Sequence, residues 1–490
     1  MDRQTFDRLQ QEGYNRVPVY REVLADLDTP LSVYLKLADG PDAYLLESVE
    51  GSDTWGRYSI IGLPCSRRFT LGGSDWVETD HGKVTDRSTV DDPLQRIADL
   101  QDAFRAPRLD ALPVFTGGLV GYFAYETVQR FEAHLPLDSK TDELGTPEMV
   151  MLLSEELAVF DNLAGKLYLI VNADPAVPGS WEQAQRRLDQ LHHRLRCGSP
   201  GYGEAVSLGA IDEADFHFGF SRDDFIAAVR RSKEYILAGD IFQVVLSQRM
   251  SVPFEARPLN VYRALRALNP SPYMYFLDLG DTQIVGSSPE VLVRVQDRQV
   301  TVRPIAGTIR RGGNAEEDEA LAQELLADPK ERAEHLMLID LGRNDVGRVA
   351  KTGSVRLIDD MVIERYSHVM HIVSQVDGEL ADGLTAVDAI RSAFPAGTLS
   401  GAPKIRAMEI ISELEPVKRN VYAGAVGYIS WHDDTDLAIA IRTAVIRDGM
   451  LHVQAGAGIV ADSDPEREWE ETMNKGRALI AAVNSASTGL

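Results

Sequence analysis

Cysteine is scarce in this sequence: Cys65 and Cys197 are its only two, far apart and outside any CxxC or Cys/His ligand spacing. That excludes a disulfide framework and a structural zinc site, and makes a reducing cytoplasm the expected compartment. No run of about 18 apolar residues occurs, and the start Met1-Asp2-Arg3-Gln4-Thr5 has no apolar signal core, so a soluble, unprocessed chain is expected. Basic residues are also in short supply, with 50 Lys+Arg against 75 Asp+Glu and a formal net charge of -25. The long-range field of such a chain repels polyanions, so neither nucleic acid nor an anionic membrane is an expected partner. An anionic small molecule can bind only where local Arg, Lys, backbone N–H groups or a divalent cation reverse that field. A P-loop, a G-x-S-x-G elbow and a His-rich metal motif are all missing, which leaves kinase and hydrolase readings without support.

What is present suffices for a large core: 490 residues, 44% of them hydrophobic. From about 32 to 171 the chain reads as short alternating apolar runs broken by Gly, Pro and Asp, as in Ala43-Tyr44-Leu45-Leu46-Glu47 and Tyr58-Ser59-Ile60-Ile61, which predicts strands. A helix over about 180–195 leads into the loop-like Cys197-Gly198-Ser199-Pro200-Gly201-Tyr202-Gly203. We divide the chain there into a strand-rich region 1–200, a linker 201–220 and a catalytic region 221–490. In the latter, Ser221 caps a helix that Gly239 ends, before a strand from Ile241 to Met250. Further on come a helix from about 329 to 341, a hairpin turning at Asp448-Gly449 and a helix from about 465 to 483. Strands joined by tight turns predict an α+β fold, with large antiparallel sheets packed together and helices outside. Gly117-Gly118-Leu119-Val120-Gly121-Tyr122 echoes Ala423-Gly424-Ala425-Val426-Gly427-Tyr428, which hints that each half gives a Gly-rich strand to one core.

Two helix entrances share one design, Asp at the cap and Pro at the first position: Asp328-Pro329-Lys330-Glu331-Arg332-Ala333-Glu334 and Asp464-Pro465-Glu466-Arg467-Glu468-Trp469-Glu470-Glu471. The three-residue spacing puts Glu331 with Glu334, and Glu468 with Glu471, on one helical face each. Each pair is a candidate ligand set for a hard cation such as Mg²⁺, or else a solvated face that suits the helix dipole. Leu437 to Ile446 reads as one strand covered on both sides, apolar but for Arg442 and Thr443. A buried guanidinium must meet an anion, either an internal Glu or Asp or a carboxylate on a ligand. Gly456-Ala457-Gly458 exposes backbone to a ligand, and with Ile459-Val460-Ala461 it also satisfies G-x-G-x-x-A. No parallel strand follows it, so a dinucleotide fold is rejected. The loop Phe394-Pro395-Ala396-Gly397-Thr398-Leu399-Ser400-Gly401-Ala402-Pro403-Lys404 is a carboxylate-binding turn or an ordinary capped one. His371, within Tyr366-Ser367-His368-Val369-Met370-His371, is a proton-transfer group or a core histidine.

Segment by segment these residues resemble the chorismate-utilising enzymes, the anthranilate, aminodeoxychorismate, isochorismate and salicylate synthases. The likeness spans about 225–482 through Gly239-Asp240-Ile241-Phe242-Gln243, Ser287-Ser288-Pro289-Glu290, Pro304-Ile305-Ala306-Gly307-Thr308, Glu334-His335-Leu336-Met337-Leu338 and Asp340-Leu341-Gly342-Arg343-Asn344-Asp345, and more weakly most of the remainder. The resemblance implies Mg²⁺ held chiefly by Glu334 and Glu471, with Glu331 and Glu468 close by, gripping the ring carboxylate of chorismate. It implies that Tyr422 and Arg442 hold the enolpyruvyl carboxylate, and that Gly307, Thr308, Gly456, Ala457, Gly458 and Lys475 complete the substrate site. It makes Glu290 the acid that protonates the departing C4 hydroxyl, with His371 and Thr398 beside the enolpyruvyl group to assist its loss as pyruvate.

Two positions discriminate within the family. Isochorismate and salicylate synthases carry a Lys to activate water where this chain has Gln243, and aminodeoxychorismate synthases a nucleophilic Lys where it has Ala306. Direct attack by ammonia remains, which is the anthranilate synthase reaction; the alternatives are an Ala-containing aminodeoxychorismate synthase and a 2-amino-2-deoxyisochorismate synthase. A non-catalytic binder of tryptophan or chorismate would need no metal. Glu47 and Ser48 together with Pro272, Tyr273 and Met274 resemble the L-tryptophan feedback pocket of anthranilate synthases. Neither cysteine sits in a G-x-C-x-G elbow, so ammonia is expected from a separate glutamine amidotransferase subunit in a hetero-oligomer.

Overall fold

The computed structural model describes residues 1–49, 56–135, 137, 140–201, 209–366 and 369–490. Of the expected linker, residues 202–208 lie outside the described residues, as do Ser367 and His368 near His371.

Two twelve-stranded sheets form the body of the protein, and neighbouring strands run antiparallel. Side-chain alternation builds the layers. In Tyr273–Asp278, Met274 and Phe276 join a core shared with helices on the outer face, while Tyr275 and Leu277 join the core between the two sheets. Glu156–Asp161 divides likewise, with Ala158 and Phe160 outward and Leu157 and Val159 inward. A third cluster packs helical residues such as Leu94, Ile390 and Leu399 on the outer face of the second sheet. The result is the expected α+β arrangement of helices, sheet, sheet and helices.

Each sheet draws strands from both sides of the 201–220 segment. In the first, Ala43–Glu47 pairs with Tyr273–Asp278, placing Met274 opposite Glu47. In the second, Gly118–Phe123 pairs with Ala425–Ser430. The two echoing Gly-rich segments are thus neighbours, with Gly121 directly opposite Gly427. A Cβ at Gly121 would lie 1.8 Å from the Val150 carbonyl oxygen, so the close approach of strands admits only glycine there.

Local signals place the helices. Ser221 accepts the Asp224 N–H at the start of Arg222–Ala238, and Gly239 ends it with φ 83°. Asp328 and Asp464 cap Pro329–Gly347 and Pro465–Ser487, which run further than the expected 341 and 483 because their apolar faces stay packed to Val346 and Ala486. The Asp448-Gly449 turn joins Thr443–Arg447 to Met450–Ile459 as expected. The Gly456-Ala457-Gly458 run lies inside that last antiparallel strand rather than at a helix entrance, in agreement with the rejection of a dinucleotide site.

The apolar run 437–446 requires correction. It is two strands, Thr435–Ile439 in the second sheet and Thr443–Arg447 in the first. The chain crosses between sheets at 440–442, and Arg442 takes a left-handed φ of 48°, a conformation that costs a non-glycine residue energy. The expected cover on both faces holds, with Leu437 and Ile439 in the outer core of the second sheet, Ala444 and Ile446 in that of the first, and Ala438, Ala440 and Val445 between the sheets; periodicity cannot show that such a run is divided between two sheets.

Candidate active site

The first sheet runs in the order Tyr273–Asp278, Thr282–Ser288, Thr443–Arg447, Met450–Ile459, Gln243–Pro253 and carries part of the candidate residues, while Gly307, Thr308 and His371 lie on paired strands of the second. Thr282–Ser288 leads into Glu290, a residue only 8% exposed. Thr398, on the one-turn helix Gly397–Ser400, donates its hydroxyl to Glu290 Oε1 at 2.9 Å. Burial pushes the Glu290 carboxyl up to about 7, against the opposing pull of Thr398, Arg442 and Lys475. It is therefore an acid that can hold a proton near neutrality. Arg442, one strand away, makes no ion pair among the described residues, although Glu290 and Tyr366 are near enough to act on its charge. Arg442 is partly rather than fully buried, and of the two anions expected to meet it the described residues supply no internal one as an ion pair.

His371, on Val369–Glu379, donates from Nδ1 to the Gly307 carbonyl at 2.9 Å, with Thr308 Oγ1 3.1 Å from the same nitrogen. A carbonyl can only accept, so this contact sets the tautomer and makes Nε2 the acceptor nitrogen, with no partner among the described residues. Burial lowers the pKa of His371, against the pull of the Gly307 contact and with the Arg442 charge adding to the lowering, which favours the neutral ring. Gly307 sits at an irregularity in the Ile305–Arg310 strand with φ 64°, and a Cβ there would come within 3.2 Å of Glu331 Oε2. His371 and the first acidic helix thus meet across one glycine.

Gln243 Nε2 lies 3.5 Å from Glu334 Oε1, at the outer limit of a hydrogen bond, and a Cβ at Gly458 would come within 2.6 Å of it. A Cβ at Gly456 would meet the Tyr422 hydroxyl at 2.8 Å. Lys475 donates to the Gly456 carbonyl at 3.0 Å and pairs with Glu471 at 2.7 Å. Gly307, Thr308, Tyr422, Gly456, Gly458 and Lys475 therefore border the same region as Glu290 and Arg442, and Ala457 lies between the two glycines, opposite Leu246.

The acidic helix entrances converge. Burial raises the Glu331 carboxyl, helped by Glu334, Asp328 and then Glu471 from the other helix. Burial also raises Glu468, and the Glu471 charge adds to that. Among the described residues, however, no three His, Cys, Asp or Glu side chains are assembled as a metal-holding group. The convergence is one of like charges across two helices, with Glu471 turned to Lys475. Carboxylates that raise one another in this way are relieved by a divalent cation, and oxygen donors are what a hard cation takes, so Mg²⁺ fits the donor set.

A separate cavity of 1080 Å³ opens between the sheets. Glu47, Ser48, Pro272, Tyr273 and Met274 all line it, alongside Arg294, Arg303 and Glu364. Glu47 is buried and accepts from the Tyr262 hydroxyl and from Arg266 Nε at 3.1 Å. Tyr273 donates to Asp436 Oδ1 at 2.9 Å.

Sequence reasoning passed over Arg419 and Glu415, a buried pair behind Tyr422. Their four-residue spacing just before Tyr422-Ala423-Gly424 was the available signal, one shared by many surface pairs.

The pattern of the chorismate binding enzyme family matches residues 48–481. Anthranilate synthase component 1 of Pseudomonas putida is 57% identical over 99% of this chain and 98% of its own length. The protein of the same name from Neisseria meningitidis is 54% identical over all of this chain and 99% of its own. Among solved structures, anthranilate synthase component I from Streptococcus pneumoniae superposes with a TM-score of 0.78 at 40% identity, covering 94% of this chain and 99% of that one.

Proposed function

The chain belongs to the chorismate-binding enzyme family, and from that premise we propose that it is the synthase component of an anthranilate synthase. It aminates chorismate with ammonia and releases pyruvate and water to give anthranilate, the first step of tryptophan synthesis. The observation that carries this reading is Glu290, buried and protonatable near pH 7, held by Thr398 and set beside an Arg442 that has no internal ion-pair partner among the described residues.

The chemistry follows from these groups. Ammonia adds at C2 of the ring while the C4 hydroxyl departs, and the C4–O bond breaks readily only if the oxygen leaves as water. Glu290 supplies that proton, a contribution worth roughly 10²- to 10⁴-fold. Arg442 and the Tyr422 hydroxyl bind the enolpyruvyl carboxylate, with the backbone of Gly307, Thr308 and Gly456 to Gly458 and the Lys475 ammonium closing the pocket. In the elimination the ring loses its C2 proton as the C3–O bond to the enolpyruvyl group breaks, and the departing enolpyruvate gains a proton on its methylene carbon to become pyruvate. His371, with Nε2 as its unprotonated nitrogen, is suited to accept a proton in that step. Glu334 and Glu471, with Glu331 and Glu468 near, would hold Mg²⁺, which when bound neutralises the ring carboxylate in this acidic protein.

Gln243 separates this reaction from water addition, because a neutral amide beside Glu334 cannot take a proton from water. Ala306 offers no amine for covalent capture, which disfavours the aminodeoxychorismate alternative. Ammonia comes from a second, glutamine-hydrolysing component. L-Tryptophan occupies the cavity lined by Glu47, Ser48 and Met274 and acts as feedback inhibitor. Among the described residues no helix is long and apolar enough to cross a membrane; we place the enzyme in the cytoplasm, where its two unpaired cysteines stay reduced. The test is to incubate the protein with chorismate, ammonium and Mg²⁺ and to follow anthranilate fluorescence and pyruvate. Pyruvate with a non-fluorescent product, or an aminated product without pyruvate, would overturn it.

A further inference from the structure

We infer that Arg419 is a positioning residue for this reaction, holding Thr398 against Glu290 by gripping the carbonyl of the next residue, Leu399. The inference rests on the proposed role of Glu290 and names what keeps that acid in order.

Arg419 is 2% exposed and its guanidinium is nearly saturated. Nη1 donates to the Leu399 carbonyl at 2.7 Å, Nη2 to the Val245 carbonyl at 2.7 Å, and Nε and Nη2 to Glu415 at 2.8 and 2.5 Å. The guanidinium also lies over the rings of Tyr125, at 4.8 Å, and Tyr422, at 5.6 Å. Its own backbone is pinned, since Glu126 accepts the N–H groups of Arg419 and Asn420 at 2.8 and 3.0 Å. Glu415 in turn accepts the Ser247 N–H and hydroxyl at 2.8 and 2.9 Å, and Ser247 stands opposite Gly456. One fork therefore joins the Gln243–Pro253 strand, the Thr398 turn and Tyr422.

The turn needs such an anchor. Gly397–Ser400 is four residues long and has no side-chain cap, and a single helical turn does not sustain itself. Within it, Leu399 N–H and Ser400 N–H both go to the Ala396 carbonyl. The Leu399 carbonyl is held from outside by Arg419, directly after the residue that contacts Glu290. A buried ion pair is weak evidence for stability, since desolvation offsets its attraction; what it supplies is geometry. A lysine cannot replace it, because one ammonium cannot span both carbonyls and a bidentate carboxylate.

The test compares wild type with R419K, T398V and the double variant, using anthranilate formation from chorismate, ammonium and Mg²⁺ across pH. Displacing a positioned group by about 1 Å costs on the order of 100-fold in rate, so R419K should lose kcat roughly 10- to 100-fold with a smaller change in chorismate KM. Thr398 donates to the ionised form of Glu290, so its release makes that acid harder to ionise. The high-pH limb of the profile should move upward in R419K as in T398V, with no further movement in the double variant. A parallel measurement needs no activity: deuterium exchange in the peptide covering 396–401 should quicken in R419K. Should R419K fail to fold, E415D keeps both charges, draws the fork back and must give the same signature. An unshifted pH limb, shifts that add, or unchanged exchange would overturn the inference. An inactive wild type would instead sink the proposed function, while exchange still decides whether Arg419 holds the turn.

Discussion

Tyr273, in the wall of the inter-sheet cavity, stands directly across the sheet from Ser288, and the Ser288 hydroxyl lies 3.3 Å from both the N–H and the carbonyl oxygen of Glu290. The cavity and the acid are thus separated by one cross-strand pair and two residues of chain. The next strand over, Thr443–Arg447, carries Arg442 at its start, and the Arg442 carbonyl accepts the Ser287 N–H at 3.1 Å. A ligand that moves the Tyr273 strand has a short, hydrogen-bonded path to both groups.

L-Tryptophan should therefore raise the melting temperature and lower anthranilate formation without competing for the chorismate pocket. Inhibition of this kind requires tighter binding to one of two states, and by linkage chorismate must weaken tryptophan to the same degree. Calorimetric titration with and without chorismate measures this. Filling the cavity by Ser48→Phe should weaken tryptophan at least about tenfold, the loss expected when about 1.4 kcal/mol of contacts is removed.

Glu290→Gln should lower kcat by roughly 10²-fold or more, the value of a general acid, with chorismate still bound. The same change should stabilise the protein at alkaline pH. The folded carboxyl holds its proton to about 7 while an unfolded one releases it at about 4.5, so between those values the folded state binds more protons. Wild-type stability accordingly falls as pH rises through that window and stays reduced above it. Melting curves at pH 4 and pH 8 should show the variant ahead only at the higher pH.

Chelation should abolish anthranilate formation, and Mg²⁺ should restore it. Glu471→Gln should abolish turnover and Glu334→Gln should do the same, whereas Glu331→Gln, beside the ligands, should raise the Mg²⁺ requirement by about 10- to 100-fold. Gln243→Lys should also raise it, because an ammonium beside Glu334 competes for the same carboxylate. Mg²⁺ titrations of initial rate distinguish these outcomes.

Gly121→Ala should destabilise the fold by at least about 2 kcal/mol, since the added methyl meets the Val150 carbonyl and a packed strand can yield only by shifting backbone. Denaturant unfolding measures this, and a change within about 0.5 kcal/mol, the range of an ordinary surface substitution, would contradict it.

Much of this molecule was legible in sequence because its signals are local. Ser221 and Gly239, Asp328-Pro329, Asp464-Pro465 and Asp448-Gly449 set helix ends and a hairpin through contacts a few residues long. The spacing of Glu331 with Glu334 and of Glu468 with Glu471 marked candidate ligand pairs for the same reason. The family motifs named Glu290, His371, Thr398 and Arg442 as one site.

Contacts between distant segments were not legible. Nothing in the run 437–446 showed that it changes sheets at Arg442, nor that Arg442 would meet no internal carboxylate among the described residues. The register that sets Met274 opposite Glu47 and Gly121 opposite Gly427 is fixed by strand order within each sheet, and the reach of Arg419 to Leu399 by the packing of distant segments. Capping and periodicity act over one turn of chain and so are written residue by residue, whereas burial, and with it the proton on Glu290 and the lowered pKa of His371, exists only once remote strands exclude water from them.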